Sequence, residues 1–194
     1  MAAHPSGVSL ALLDKLVAAL GAKGLVTDRE LADHQAIMER ASPEIGARMV
    51  ARAWTDPDYY ALLMRDGKAA AEAAGASMAG APDLGVLENT PSQHHLVVCT
   101  LCSCYPRALL GYPPGWYKSF AYRSRAVREP RAVLAEWGTQ IPNDVEIRVV
   151  DSTADYRWMV LPMRPEGTEG WSAEKLAGIV TRDALVGVAV PRAG

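Results

Sequence analysis

The chain has 194 residues, 49% hydrophobic and 22% charged, with a formal net charge of -2. That balance describes a folded domain, and the slight acidic excess argues against nucleic acid as the main partner. The longest apolar candidate, residues 10–20, is broken by Asp14 and Lys15, and no basic start precedes an apolar core. A cytoplasmic protein with no membrane span and no signal peptide is expected.

The first elements read as helices. Ser9 precedes an apolar pattern at Leu12, Leu13, Leu16, Val17 and Leu20, closed by Gly21 and Gly24. Thr27 with Glu30 three residues on is a capping-box pattern, opening a helix through Leu31, Ile37 and Met38. Ser42-Pro43-Glu44 supplies a cap, a first-turn proline and an acid to a helix that would bury Ile45, Met49 and Val50. Asp56-Pro57 repeats the device before Tyr59-Tyr60-Ala61-Leu62-Leu63, and Gly75 ends the alanine run from Ala69 to Ala74.

Beyond residue 80 proline and glycine become frequent and short β-rich segments appear. They are Val86-Leu87, Leu96-Val97-Val98, Val145 to Val150, Trp158 to Leu161 and Val186 to Val190. Helices are expected near Glu129 to Trp137 and Ser172 to Ile179. The layout predicts a helical arm over residues 1–80 and an α+β domain over 81–194. Such an arm, with apolar stripes and little core of its own, either packs on a partner chain or folds back on the domain.

Cysteine usage carries most of the chemistry. Cys99, Cys102 and Cys104 are the three cysteines of the chain, and they lie within six residues. An odd, tight cluster is no disulfide framework, so metal or redox chemistry is the expectation. Thiolate is soft and selects zinc, copper(I), iron or cobalt over magnesium or calcium. Structural zinc wants four ligands and would have to recruit His94 or His95. An iron–sulfur cluster normally wants four cysteines. A third arrangement completes the set with backbone nitrogens. Neither Ser103 nor Cys104 is proline, so each has an amide proton to lose, and one octahedral position would stay open. Spacing alone leaves zinc with a histidine, an open transition-metal site and a redox or copper-handling cluster on equal terms. Three packed core cysteines is a weaker reading, because buried free cysteines rarely crowd so closely in sequence.

The run Val98-Cys99-Thr100-Leu101-Cys102-Ser103-Cys104-Tyr105-Pro106 resembles the metal loop of nitrile hydratase alpha subunits. Further matches follow in order: Glu88-Asn89-Thr90-Pro91, Pro113-Pro114, Trp116-Tyr117-Lys118, Tyr122-Arg123-Ser124-Arg125 and Arg128-Glu129-Pro130-Arg131. Val160-Leu161-Pro162, Gly167-Thr168-Glu169-Gly170-Trp171-Ser172 and Thr181-Arg182 continue the series. The resemblance implies a layered α/β/β/α domain carrying the loop. It also implies a low-spin, non-corrin, trivalent metal held by the sulfurs of Cys99, Cys102 and Cys104 and the backbone nitrogens of Ser103 and Cys104.

By the same pattern Cys102 becomes sulfinic acid and Cys104 sulfenic acid, both engaged in catalysis, while Cys99 stays an unmodified thiolate. Threonine at position 100, where iron members carry serine, points to cobalt over iron. The implied reaction is metal-assisted addition of water to a small-molecule nitrile, giving the amide. The implied partners are a beta-type subunit, whose arginines face the oxidised sulfurs, and a metallochaperone that loads the cobalt.

One departure stands out. Family members commonly have tryptophan three residues after the last cysteine, and here that position is Arg107. Tyr112 and Gly115 replace the usual leucine and asparagine. Thiocyanate hydrolase gamma subunits share the loop and a basic residue here, which makes that activity the alternative. A zinc-binding interaction module without cysteine oxidation is a third reading. Arg107, Tyr105 and Trp116 are candidate substrate-pocket residues. Against this, Arg107 could face solvent or a subunit interface, and aromatics such as Trp116 and Tyr117 are more often core. His94 and His95 read as structural hydrogen-bonding groups, and His4 and His34 as surface residues. Arg123, Arg125, Arg128 and Arg131 either brace the loop and interface or form a solvated face.

Overall fold

The computed structural model describes residues 7–193, and by contact it divides into two compact units, Met1–Arg40 and Ala41–Gly194. The first unit holds helices α1 (Gly7–Ala22) and α2 (Asp28–Arg40). Helix α1 begins at Gly7, before Ser9, the expected cap. Its Leu10, Leu12, Leu13 and Leu16 are exposed. The capping box of α2 forms reciprocally: the Thr27 amide donates to Glu30 Oε2 at 2.8 Å, and the Glu30 amide to Thr27 Oγ1 at 3.2 Å.

The second unit opens with α3 (Pro43–Ala53), α4 (Pro57–Arg65) and α5 (Gly67–Ala73). Ser42 accepts from the Glu44 amide, and Asp56 accepts from the amides of Asp58 and Tyr59, so both predicted caps are made. Met49 and Val50 are fully buried and Ile45 is partly so. Although α3 to α5 fall within the helical arm read from sequence, they belong to the compact unit of the strands. Their apolar faces, with Tyr59, Leu63 and Ala70, join Leu84 and Met159 in one core.

Four strands follow: β1 (Asp83–Glu88), β2 (Gln93–Val98), β3 (Glu146–Asp151) and β4 (Tyr156–Leu161). They form two parallel pairs, β1 with β4 and β2 with β3, in which Leu84 lies opposite Arg157 and Val98 opposite Asp151. Between β2 and β3 run α6 (Arg107–Leu110), α7 (Gly115–Lys118), α8 (Phe120–Arg128) and α9 (Pro130–Glu136). Helices α4 and α5 cover β1, α8 and α9 cover β2 and β3, and β2 meets β4 between them. This is the layered α/β/β/α order, with both faces of the parallel pairs covered. Helix α10 (Ala173–Gly178) packs on α3.

The segment Val186 to Val190, expected as a strand, is not one. A 3-10 turn over Ala184–Val186 ends at Gly187 with φ +81°. The glycine passes so close to β2 that a Cβ there would meet the His95 carbonyl oxygen at 1.9 Å. Close packing of backbone on backbone, with Leu185, Val186 and Val188 buried, replaces ladder pairing. No described helix is long and apolar enough to cross a membrane.

Candidate metal centre

The cysteine loop begins where β2 ends. Val98 is fully buried, and its carbonyl accepts from the Ser152 amide at 2.8 Å, which ties the loop entry to the β3–β4 connection. The Thr100 amide donates to Asp151 Oδ1 at 3.0 Å, and its hydroxyl donates to Asp151 Oδ2. Arg123 Nη1 donates to the Thr100 carbonyl at 3.3 Å. On the exit side, Tyr117 Oη donates to the Cys104 carbonyl at 2.8 Å. Deeper in, Tyr122 Oη donates to the Val97 carbonyl at 2.7 Å. The chain then turns through Pro106 into α6. Strand end, carboxylate, guanidinium and phenol thus hold six residues in a compact turn.

All three sulfurs converge. Their Sγ atoms lie within 4.8 Å of one another, the group among the described residues suited to hold a metal ion. Cys99 and Cys104 are buried and Cys102 is exposed, so the cluster opens outward through Cys102. Adjacent separations are 3.5 Å (Cys99–Cys102) and 3.3 Å (Cys102–Cys104). A metal–sulfur bond of about 2.3 Å sets sulfurs roughly 3.3 Å apart at right angles and roughly 3.8 Å apart in a tetrahedron. The Cys102–Cys104 separation matches the right-angled value, and the Cys99–Cys102 separation lies between the two. The two outer thiols and the Ser103 amide favour the Cys102 thiolate, lowering it to about 7, whereas burial pushes the Cys104 thiol up to about 12.

The histidines do not join the cluster. His94 Nε2 donates to the Gly187 carbonyl at 2.7 Å, leaving Nδ1 to accept from Asn89 Nδ2 at 3.1 Å. His95 donates through its amide and Nδ1 to Asn89 Oδ1. With both ring nitrogens of His94 occupied, it serves as a structural clasp between β2 and the Gly187 turn. Among the described residues, neither histidine groups with the three sulfurs as a fourth zinc ligand.

Further polar atoms mark the loop surroundings. Tyr105 Oη, Arg123 Nε and Arg157 Nη1 are the buried side-chain polar atoms that lack a hydrogen-bond partner among the described residues. Tyr105 follows Cys104 directly, Arg123 holds Thr100, and the Arg157 charge acts on Cys104. Buried donors without acceptors are uncommon. The convergence of three soft sulfur donors fits a transition-metal ion.

The candidate pocket residues part company. Tyr105 is buried and packs edge-on against Tyr117, with ring centroids 4.9 Å apart. Trp116 sits in an aromatic cluster with Tyr117, Tyr122 and Trp137, buttressing the loop from below. Arg107, at the start of α6, is exposed. Two surface cavities of about 360 and 380 Å³ are lined by other residues, Lys68 and Trp158 in one and Trp54 and Arg164 in the other. The basic run divides its labour. Arg123 braces the loop, and Arg131 donates to the carbonyls of Ile141, Pro142 and Val145. Arg125 bridges Glu129 and Glu136 at the surface. Tyr117, weighed from sequence as pocket or core, is core and holds the Cys104 carbonyl, whereas Asp151 had no sequence signal because its role depends on strand pairing.

Fold and loop define an α+β protein with three clustered thiols suited to hold a metal ion. The family model for nitrile hydratase, alpha chain, matches residues 9–189. The chain is 49% identical over 170 residues to the low-molecular weight cobalt-containing nitrile hydratase subunit alpha of Rhodococcus rhodochrous, covering 87% of this chain and 82% of that one. It is 47% identical over 183 residues to the thiocyanate hydrolase subunit gamma of Thiobacillus thioparus, covering 89% and 75%. Among solved structures, a double-histidine mutant of the Fe-type nitrile hydratase from Comamonas testosteroni superposes with a TM-score of 0.88 at 43% identity, covering 98% and 93%. The chain belongs to the nitrile hydratase alpha-chain family.

Proposed function

We propose that this chain is the metal-carrying subunit of a cobalt nitrile hydratase, adding water to a nitrile to give the amide. The convergence of Cys99, Cys102 and Cys104 at the end of β2 carries the reading. Their three sulfurs, with the backbone nitrogens of Ser103 and Cys104, form the ligand set. Trivalent, low-spin cobalt bound there would supply Lewis acidity to polarise the nitrile or activate water. Cobalt-containing relatives and threonine at position 100 support that metal over iron.

The protein groups have separate tasks. Asp151, Arg123 and Tyr117 hold the loop ends, so the sulfurs keep their spacing while substrate enters and leaves. In the mature centre, with molecular oxygen as the oxidant, exposed Cys102 would be sulfinic acid and Cys104 sulfenic acid, each adding an oxygen acceptor beside the metal. The Cys104 oxygen then serves as nucleophile or base towards the nitrile carbon or the attacking water. The oxygen of water ends on the nitrile carbon and both its protons on the nitrogen, giving the amide; where the Cys104 oxygen attacks first, water then breaks the new bond and restores it.

A beta-type subunit completes the site. Leu101, Tyr112 and Phe120 are highly exposed apolar residues on and near the loop, a surface suited to a partner chain. Cobalt loading by a metallochaperone and residence in the reducing cytoplasm accord with an odd, tight cluster of cysteines.

The test is elemental analysis and peptide mass spectrometry on the active complex with its partner subunit. One cobalt per chain is expected, with a sulfinic increment on Cys102, a sulfenic increment on Cys104 and no oxygen on Cys99. Fully active material with zinc and three unmodified thiols would overturn the assignment. Preference for thiocyanate over every nitrile tried would move the chain to thiocyanate hydrolase.

A further inference from the structure

The two parallel strand pairs end in different places. The carboxyl ends of β2 and β3, at Val98 and Asp151, carry the cysteine loop. Those of β1 and β4, at Glu88 and Leu161, open into the cavity of about 380 Å³. Its lining continues along both strand exits, through Asn89-Thr90-Pro91 and Pro162-Met163-Arg164, with Trp54 and Tyr60 beside them. Ligands of parallel sheets characteristically lie outside the carboxyl ends of the strands, and the volume suits a small molecule. A tight turn, in which Thr90 and Gln93 exchange backbone hydrogen bonds, reverses the chain into β2. The strand Gln93–Val98 then separates this cavity from Cys99 by roughly 20 Å, so it is distinct from the metal centre.

Two opposite charges line the cavity, each held by neutral groups. Arg164 Nε donates to Thr168 Oγ1 at 3.0 Å, Nη1 to the Trp54 carbonyl at 3.3 Å and Nη2 to the Thr168 carbonyl. The guanidinium is thus fixed in place with N–H donors to spare, and none of them is spent on a carboxylate. Glu88 Oε2 accepts from Tyr60 Oη at 2.8 Å, which leaves Oε1 unengaged. Among the described residues neither charge has an ion-pair partner, and they do not pair with each other. Both are partly buried, and a partly buried charge is stabilised by a ligand that supplies its counter-charge. A lone anion on Arg164 would meet Glu88, and a lone cation on Glu88 would meet Arg164. A zwitterion satisfies both.

We propose that this cavity binds a free α-amino acid with an apolar side chain, its carboxylate on Arg164 and its ammonium on Glu88. The planar guanidinium fork matches a carboxylate, and the charged ends bond more strongly than neutral ones. Trp54, Leu161, Pro162 and Met163 supply the apolar wall for the side chain. The binding is non-covalent and takes no part in the reaction at the cysteine loop.

L-Leucine is the probe, titrated by calorimetry into the metal-loaded complex with its partner subunit. Two analogues keep its skeleton and lose one charge: 4-methylpentanoate lacks the ammonium, and 3-methylbutylamine lacks the carboxylate. Saturable binding of leucine is expected, with each analogue at least about tenfold weaker, the equivalent of one charge-assisted hydrogen bond. Glu88→Gln should weaken leucine by a similar factor and reduce the discrimination against 4-methylpentanoate. Its cobalt content and circular dichroism should match the parent.

Absence of saturable leucine binding to the parent complex overturns the proposal. Analogues that bind the parent as tightly as leucine also overturn it, a result that needs no variant to fold. Leucine binding unchanged in Glu88→Gln places the ligand elsewhere, the metal centre included, and overturns it equally.

Discussion

Thr100 and Asp151 stand 51 positions apart and are joined by two hydrogen bonds, amide to Oδ1 and hydroxyl to Oδ2. The carboxylate belongs to the last residue of β3, opposite Val98 in the parallel register. The loop is therefore anchored to the sheet immediately after its first cysteine. Asp151→Ala should loosen it. Both partners are exposed, so solvent screening limits the stability loss to about 1 kcal/mol. The larger effect should be on metal retention: a chelator should strip Asp151→Ala at least about tenfold faster than the parent. Equal stripping rates would show that the anchor does not support the ligand set.

Ser103→Pro tests the backbone ligand. Proline has no amide proton to lose, so that nitrogen cannot become an anionic donor. Ser103 is half-buried in a loop outside any helix or strand, so the fold should survive. Circular dichroism should match the parent while cobalt content falls close to zero. Parental cobalt uptake would exclude the Ser103 nitrogen from the ligand set.

Arg107→Trp addresses substrate choice. The guanidinium is exposed at the head of α6, three residues after Cys104. Covered by a partner subunit, it would favour polar or anionic substrates through a charged planar fork. In the complete complex, the variant should shift kcat/KM towards a small aliphatic nitrile by about tenfold relative to thiocyanate, with cobalt content unchanged. Proportional changes for both substrates would show that Arg107 does not discriminate.

His94 should make the fold acid-sensitive. Burial holds its imidazole below the usual histidine range, although the bond to Gly187 favours the charged form; Arg131 adds to the lowering. The folded value thus lies below the unfolded one near 6.5, and the unfolded chain takes up the proton first. The stabilisation is complete above the unfolded value and is lost as pH falls from there towards the folded value. His95 shifts the same way, chiefly through burial. Urea midpoints measured from about pH 7.5 to about pH 5.5 should fall with acid, and His94→Gln, less stable throughout, should show a shallower slope. An unchanged slope in the variant would remove His94 from the acid response.

Local signals carried far in this chain. Ser42-Pro43 and Asp56-Pro57 start helices because a side-chain oxygen and a proline act within a few residues, and both caps form as read. The cysteine loop was legible for the same reason: ligand type and spacing are properties of six consecutive residues. Tertiary structure alone decided what surrounds it. Asp151 and Tyr117 come to the loop through parallel pairing and helix docking, contacts that no short window encodes. Val186 to Val190 has the composition of a strand, yet Gly187 must turn under the His95 carbonyl, where only a hydrogen fits. Alternation and propensity describe a segment's own backbone. Whether it pairs, turns or braces a metal loop depends on the surface that other elements bring against it, and that surface exists only once the chain has folded.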